Sequence, residues 1–210
     1  MPKITMISDT HNQHNKIKIS KTDILVHAGD ATGRGSIQEV SAFLNWLSQQ
    51  PATHKVYVAG NHDFLFERDP NLSKMILSEY PSITYLQDAT TEIMGLKFYG
   101  SPWTPRFYDW AFNADTDKLS EVWSAIPAEI DFLITHGPPF GILDETEEGN
   151  KIGCKILLQE IQTRIKPKYH VFGHDHEGYG SKVIDGTNFI NASSCNRRYL
   201  PVNPPIIFAI

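Results

Sequence analysis

Five short polar clusters hold most of the reactive side chains in this 210-residue chain. They read Asp9-Thr10-His11, Gly29-Asp30, Gly60-Asn61-His62-Asp63, Thr135-His136-Gly137 and Gly173-His174-Asp175-His176. Carboxylate and amide oxygens together with imidazole nitrogens suit divalent or trivalent transition-metal ions that must keep positions open for a substrate. Two such ions about 3.5–4 Å apart need a shared ligand, usually a carboxylate. Asp30 is the candidate bridge, because Gly29 lets the backbone turn tightly before it. Asp9, His11 and His176 would complete one ion, and Asn61, His136 and His174 the other. Asn61 offers an uncharged oxygen, which limits the negative charge an incoming phosphate meets.

A water shared by two ions is acidified and becomes an in-line nucleophile at phosphorus. His62 directly follows Asn61, so it can face the substrate and protonate the leaving oxygen. Asp63 comes next and is expected to fix the imidazole tautomer through a carboxylate–histidine hydrogen bond.

Each cluster taken singly is ordinary turn chemistry. Their placement changes the reading. Apolar runs at Ile4–Ser8, Ile24–His27, Lys55–Ala59, Phe132–Thr135 and Tyr169–Phe172 each stop at one cluster. Runs of about five residues rich in Ile, Val and aromatics predict buried strands. In α/β sheets ligands gather beyond the carboxyl ends of the strands. The five turns are therefore predicted to converge. Ser36-Ile37-Gln38-Glu39 has capping-box spacing, and Val40, Phe43, Leu44 and Leu47 follow on one helical face. A second stripe, Leu158, Ile161 and Ile165, follows Gly153-Cys154, and a third helix near Leu119–Ile126 stops before Pro127. Further strands are expected at Lys97–Tyr99, Asn188–Ile190 and Ile206–Ile210.

Length fits one domain spanning residues 1–210. A formal net charge of −5 and the lack of a Lys/Arg-rich run argue against bulk nucleic acid as a partner. Mean hydropathy is −0.31, and no apolar run approaches the ~20 residues of a membrane helix. Cys154 and Cys195 form no CxxC pair and read as free thiols. Met1-Pro2-Lys3 runs straight into the first strand, unlike a signal peptide. A cytoplasmic protein is expected, with homo-oligomerisation left open.

Other residues carry two readings. Arg34 is either a bidentate phosphate contact or a solvated loop residue. Trp103, Trp110 and Phe112 form either a base-stacking wall or core packing. Asn113 and Asn191 either read a base or ribose edge or hold turns. His27 and His170 read as core, His54 as a solvated loop residue, and Glu145, Glu147 and Glu148 as a solvated run or a lid.

Together the five clusters resemble the signature of the calcineurin-like metallophosphoesterases. Gly100-Ser101-Pro102-Trp103, Trp110-Ala111-Phe112-Asn113, His136-Gly137-Pro138-Pro139 and Asn191-Ala192-Ser193 are similar to the MPPED-type phosphodiesterase subfamily. Pro201-Val202-Asn203-Pro204-Pro205 extends that similarity to nearly the whole chain. The resemblance implies a four-layer α/β/β/α sandwich of two mixed sheets and the ligand roles above. It also implies a dinuclear centre of manganese, with iron or zinc as alternatives. Some subfamily members carry Gly where this chain has His174, so both ion sites are expected to be complete here. Protein phosphatases and diadenosine-polyphosphate hydrolases differ at the Gly29–Gly35 and Asp63 positions. The expected activity is hydrolysis of a small phosphodiester, cyclic nucleotides among the candidates. The alternatives are a broad-specificity phosphomonoesterase and a non-catalytic binding module.

Overall fold

A computed structural model describes residues 2–210. In chain order the first half comprises β1 (Lys3–Ile7), β2 (Thr22–His27), α1 (Ile37–Ser48), β3 (Ala52–Tyr57), α2 (Phe64–Arg68), α3 (Pro70–Ser78), β4 (Ile83–Tyr85), β5 (Ala89–Ile93) and β6 (Leu96–Ser101). After it come β7 (Thr104–Pro105), β8 (Asn113–Ala114), α4 (Thr116–Ser124), β9 (Phe132–Thr135), α5 (Lys155–Glu160), β10 (Tyr169–Phe172), β11 (Gly180–Ile184), β12 (Thr187–Asn191) and β13 (Ile206–Ala209).

Two mixed sheets form. One has the order β13-β1-β2-β3-β4, with only the β13–β1 pair antiparallel. The other runs β11-β12-β10-β9-β6-β5, parallel inside and antiparallel at both edges. Strand alternation explains the layers, since successive side chains point to opposite faces. Ile4, Met6, Ile24, Val26 and Val56 face the second sheet and pack with Phe98, Phe132, Ile134, Val171 and Ile190. On the outer face of the first sheet, Ile7, Leu25 and Tyr57 meet Val40, Phe43, Leu44 and Leu47 of α1. Leu133, Phe172 and Phe189 do the same for Leu119, Val122 and Trp123 of α4 and Leu157 of α5. Helices, sheet, sheet and helices thus stack as expected.

Helix α1 starts where the capping-box spacing predicts. Ser36 Oγ accepts the Glu39 N–H, and the Glu39 carboxylate accepts the Ser36 N–H. The helix after Cys154 differs in detail. It passes into a π-turn over Ile161–Ile165, and the buried stripe is Leu157, Ile161 and Ile165, with Leu158 half-buried beside it. The wider turn lengthens the repeat of the buried face to four residues, moving the stripe off Leu158. His54 is also displaced from expectation, because β3 already begins at Ala52 and carries it as a half-buried strand residue. Helices α2 and α3 and strands β4, β5, β7, β8 and β11 had no sequence forecast. None of the described helices is long and apolar enough to cross a membrane.

His27 and His170 are fully buried in strands, as expected. His170 Nε2 lies 2.8 Å from Thr135 Oγ1, and burial pushes the ring down to about 3. An unfolded chain binds a proton near pH 6.5 that the native ring refuses. The ring's share of stability is therefore complete above pH 6.5 and drains away as pH falls towards 3, at about 1.4 kcal/mol per pH unit. His170→Gln is expected to flatten the pH dependence of denaturant unfolding across this window by one proton. An unchanged slope would show that His170 does not contribute.

Candidate metal centre

Strands β1, β2 and β3 of one sheet and β9 and β10 of the other all release their chains towards the same place. The two loops after β1 and β2 run side by side, with Asp9 N–H donating to Gly29 O, His11 N–H to Asp30 O and Asn12 N–H to Ala31 O. Holding this course sets Asp9, His11, Asn12 and Asp30 at positive φ, and His174 after β10 shares that conformation. A non-glycine residue there costs about 1–2 kcal/mol. Such strain persists only where the surroundings over-determine it, typically at functional sites.

Three overlapping groups of candidate ligands result, of which one joins His11, Asp30 and His62 across the other two. Of those two, Asp9, His11 and His176 form one and Asp30, His136 and His174 the other. His11 Nε2 lies 3.1 Å from His176 Nε2, and His176 Nε2 is 3.4 Å from Asp9 Oδ1. In the second group His136 Nε2 is 3.3 Å from Asp30 Oδ2 and 2.9 Å from Asn61 Oδ1. Asp30 Oδ2 stands between the groups, 3.8 Å from His11 Nε2. It is also 3.9 Å from His62 Nε2.

Proton positions test whether this donor set fits metal ions. His136 Nδ1–H donates to Ala28 O at 3.0 Å, and His176 Nδ1–H donates to Asn196 O at 3.1 Å. Carbonyls can only accept, so in the neutral rings each Nε2 presents its lone pair to the centre. Those lone pairs face carboxylate and amide oxygens, an arrangement that repels unless a proton or a metal ion lies between. The residues fit a pair of cations. The same field acts on protons. Burial disfavours a charged His136, but Asp30 and Asp9 override it and push the ring up to about 9. Burial would raise Asp30, yet His136 and His62 hold it well below the usual carboxylate range.

A further ring of contacts fixes the candidate ligands. Asp9 accepts the His174 N–H at 3.0 Å and the Ser193 hydroxyl at 3.0 Å. Gly173 is obligatory for this approach, since a Cβ there would run into the Asp9 carboxylate and Ser8 Oγ. Ser193 was not anticipated as a site residue, although Asn191-Ala192-Ser193 stood out as a motif.

The expected partnership of His62 with Asp63 does not exist. Asp63 is fully buried and accepts from Gly60 N–H, Ala31 N–H, Thr32 N–H, Thr32 Oγ1 and Tyr57 OH. The backbone turns into α2 at residue 63 and aims the carboxylate back under the Asp30 loop. His62 Nδ1 instead donates to Gly33 O at 2.8 Å, leaving Nε2 towards the centre.

A cleft of about 600 Å³ opens over the centre, walled by Phe107, Trp110, Ile152 and Tyr199 with Arg106 and Arg197. Trp110 stacks on His62 with ring centroids 4.2 Å apart. Arg34 lies over that indole, 4.8 Å from its centroid, and does not line the cleft. Four other proposed substrate contacts are structural. Trp103 Nε1 donates to Asp88, and Phe112 is fully buried. Asn113 Nδ2 donates to the Phe107 and Tyr108 carbonyls. Asn191 is fully buried and commits its amide to Leu143 O, Asp175 O and Ser193 N–H. Phe107, Arg106, Arg197 and Tyr199 were missed because they lie on loops without a motif. Tyr199 sits edge-on to His11 at 4.7 Å and to His176 at 5.7 Å.

Asp30→Ala is expected to abolish metal occupancy measured by elemental analysis of folded protein; retained stoichiometry would contradict a bridging role. Ser193→Ala should weaken metal affinity about 10–100-fold in chelator competition, the usual cost of losing a hydrogen bond behind a ligand.

Residues 2–178 match the calcineurin-like phosphoesterase family model. Metallophosphoesterase domain-containing protein 1 of Homo sapiens is 40% identical over 96% of this chain and 68% of its own length. A UPF0046 protein of Caenorhabditis elegans is 38% identical over 97% of this chain and 79% of its own length. The crystal structure of TT1561 from Thermus thermophilus shares the fold, with a TM-score of 0.64 at 13% identity, covering 90% of this chain and 88% of that one. Another solved structure reaches a TM-score of 0.72 at 17% identity, covering 91% and 90%. The chain belongs to the calcineurin-like phosphoesterase family, whose chemistry is metal-dependent hydrolysis of phosphoesters.

Proposed function

We propose that this protein is a phosphodiesterase acting on small phosphodiesters, cyclic nucleotides included. It would use two transition-metal ions, manganese first and iron or zinc as alternatives, held by Asp9, His11, Asp30, Asn61, His136, His174 and His176. The observation that carries this reading is the meeting of two ligand groups at Asp30 on the floor of an aromatic-walled cleft, with His62 alongside. When bound, the ions supply Lewis-acid charge to the phosphoryl oxygens and acidify the attacking water.

The protein's own groups do the rest. The Gly33 carbonyl keeps a proton on His62 Nδ1, so a second proton makes Nε2 a donor to the leaving oxygen. Trp110 backs the ring and keeps it from swinging. Arg106 of the cleft wall has no carboxylate partner among the described residues, so preference for diesters follows chiefly from the apolar wall, with Arg197 engaged elsewhere. Arg197 is already engaged by Glu147, Glu148 and Glu177 at 2.9, 3.0 and 3.2 Å. That fork is not free to grip the extra negative charge of a terminal phosphate. A diester carries one charge and two organic groups, for which Phe107, Trp110 and Tyr199 offer apolar surface. The two buried cysteines are free thiols, which supports a cytoplasmic setting.

Metal-loaded protein is expected to turn over bis-p-nitrophenyl phosphate faster than p-nitrophenyl phosphate, and a panel of 2′,3′- and 3′,5′-cyclic nucleotides would identify the preferred class. Clear preference for the monoester would make the protein a phosphomonoesterase. His62→Ala should keep its metal but lose about 10²-fold or more in turnover of diesters with poor leaving groups.

A further inference from the structure

We propose that Glu39, which lies outside every metal-binding motif, is a positioning residue that holds the His62 imidazole in place through the Gly33 peptide. The proposal rests on the reading of His62 as proton donor, but its first test does not.

A capping box asks little of Glu39. One carboxylate oxygen on the Ser36 N–H completes it, and Oε2 supplies that bond at 2.9 Å. Oε1 does something else. It accepts from Asn12 Nδ2 at 2.6 Å and from the Gly33 N–H at 3.1 Å, while Oε2 also reaches the Arg34 N–H at 3.3 Å. Half of the carboxylate thus serves two loops rather than the helix. Asn12 follows His11, and Gly33 supplies the carbonyl that His62 Nδ1 donates to. Gly33 itself has no Cβ, which would press on Glu39 Oε1 and Asn12 Nδ2.

Residues 31–35 are therefore clamped at both ends. Asp63 takes the Ala31 and Thr32 N–H groups from below, and Glu39 takes Gly33 and Arg34 from the helix side. The His62 ring is set between them, with Trp110 stacked on it and Arg34 over the indole. Burial opposes a charge on Glu39, but the Ser36, Asn12 and Gly33 donors outweigh it and bring the carboxyl down to about 2, so it is ionised at any working pH.

Glu39→Gln keeps the length and one acceptor oxygen but turns an NH₂ towards backbone N–H groups that only donate. Ser36→Ala is the control, since it weakens the helix start without touching Gly33. Both are compared with wild type in zinc-loaded protein by two-bond ¹H–¹⁵N spectra of the imidazoles. Wild type and Ser36→Ala should show His62 protonated at Nδ1; Glu39→Gln should show exchange between tautomers. A wild-type His62 spectrum in Glu39→Gln overturns the proposal.

The second readout is a series of aryl phosphodiesters of graded leaving-group pKa. In Glu39→Gln, kcat should fall about tenfold for poor leaving groups and stay unchanged for p-nitrophenolate, with KM constant. This loss should vanish in a His62→Ala background. An equal loss across the whole series, or one matched by Ser36→Ala, assigns Glu39 a helix-stabilising role only and overturns the proposal. If His62→Ala shows no leaving-group dependence while the Glu39→Gln spectrum changes, the proton-donor role fails and the positioning stands.

Discussion

Everything near the cleft answers to one electrostatic constraint: buried groups of like character are aimed at each other. Asp9 and Asp30 are almost completely withdrawn from solvent, and the imidazoles of His136 and His176 turn their lone pairs towards them. Burying unpaired charge is among the most unfavourable things a fold can do. The arrangement is tolerable only with positive charge at its middle, and the nearby hydrogen bonds are arranged to prevent escape. Asp9, Asp30, His136 and His176 are each tied on the far side to a backbone N–H, a hydroxyl or a backbone carbonyl. The geometry of these four is thereby set before any ion arrives, and little reorganisation of them remains for binding to drive.

Asp63 shows how that constraint spreads. It is a third buried carboxylate, raised by its own burial and by the charge of Asp30, and drawn back by the donors it accepts. Its Tyr57 partner is pushed up as well, chiefly by burial and then by Asp63. A carboxylate in this position converts free N–H groups of the Asp30 loop into fixed ones. The loop then cannot relax away from the ions, and positive φ at Asp30 becomes sustainable.

What could be read from sequence alone was what depends on single strands. A parallel strand ends in a turn, and the residue types in that turn announce themselves. The five clusters, the buried runs before them and the Ser36–Glu39 helix start were legible for this reason. Residues whose partners are chosen by tertiary folding were not. Asp63 adjoins His62 in the chain, yet the onset of α2 sends the two side chains in different directions. Trp103, Asn113 and Asn191 had side chains suited to a nucleotide but are engaged by Asp88, by the Phe107 and Tyr108 carbonyls, and by the Leu143 and Asp175 carbonyls. Conversely Tyr199 and Arg197 carry no motif and owe their place to a turn whose positive-φ residue nothing nearby in sequence foretells. Glu39 was legible as a helix cap, while its second set of contacts was not, because Asn12 lies 27 residues away.

The bond between Asp9 and the His174 N–H spans 165 residues, and that between Asp9 and Ser193 spans 184. The last strand, β13, then returns to pair with the first. A chain growing from its N-terminus therefore exposes half of its ion-binding groups long before the other half exists. Loop-closure entropy grows slowly with such separations, but contacts of this kind form late in folding. No local fragment can hold the pair of ions as the whole chain does. Ion binding is consequently linked to the docking of one sheet on the other, and its free energy adds to the stability of that interface by mass action. Both ion sites are therefore complete only once the loops after β1 and β10 have met.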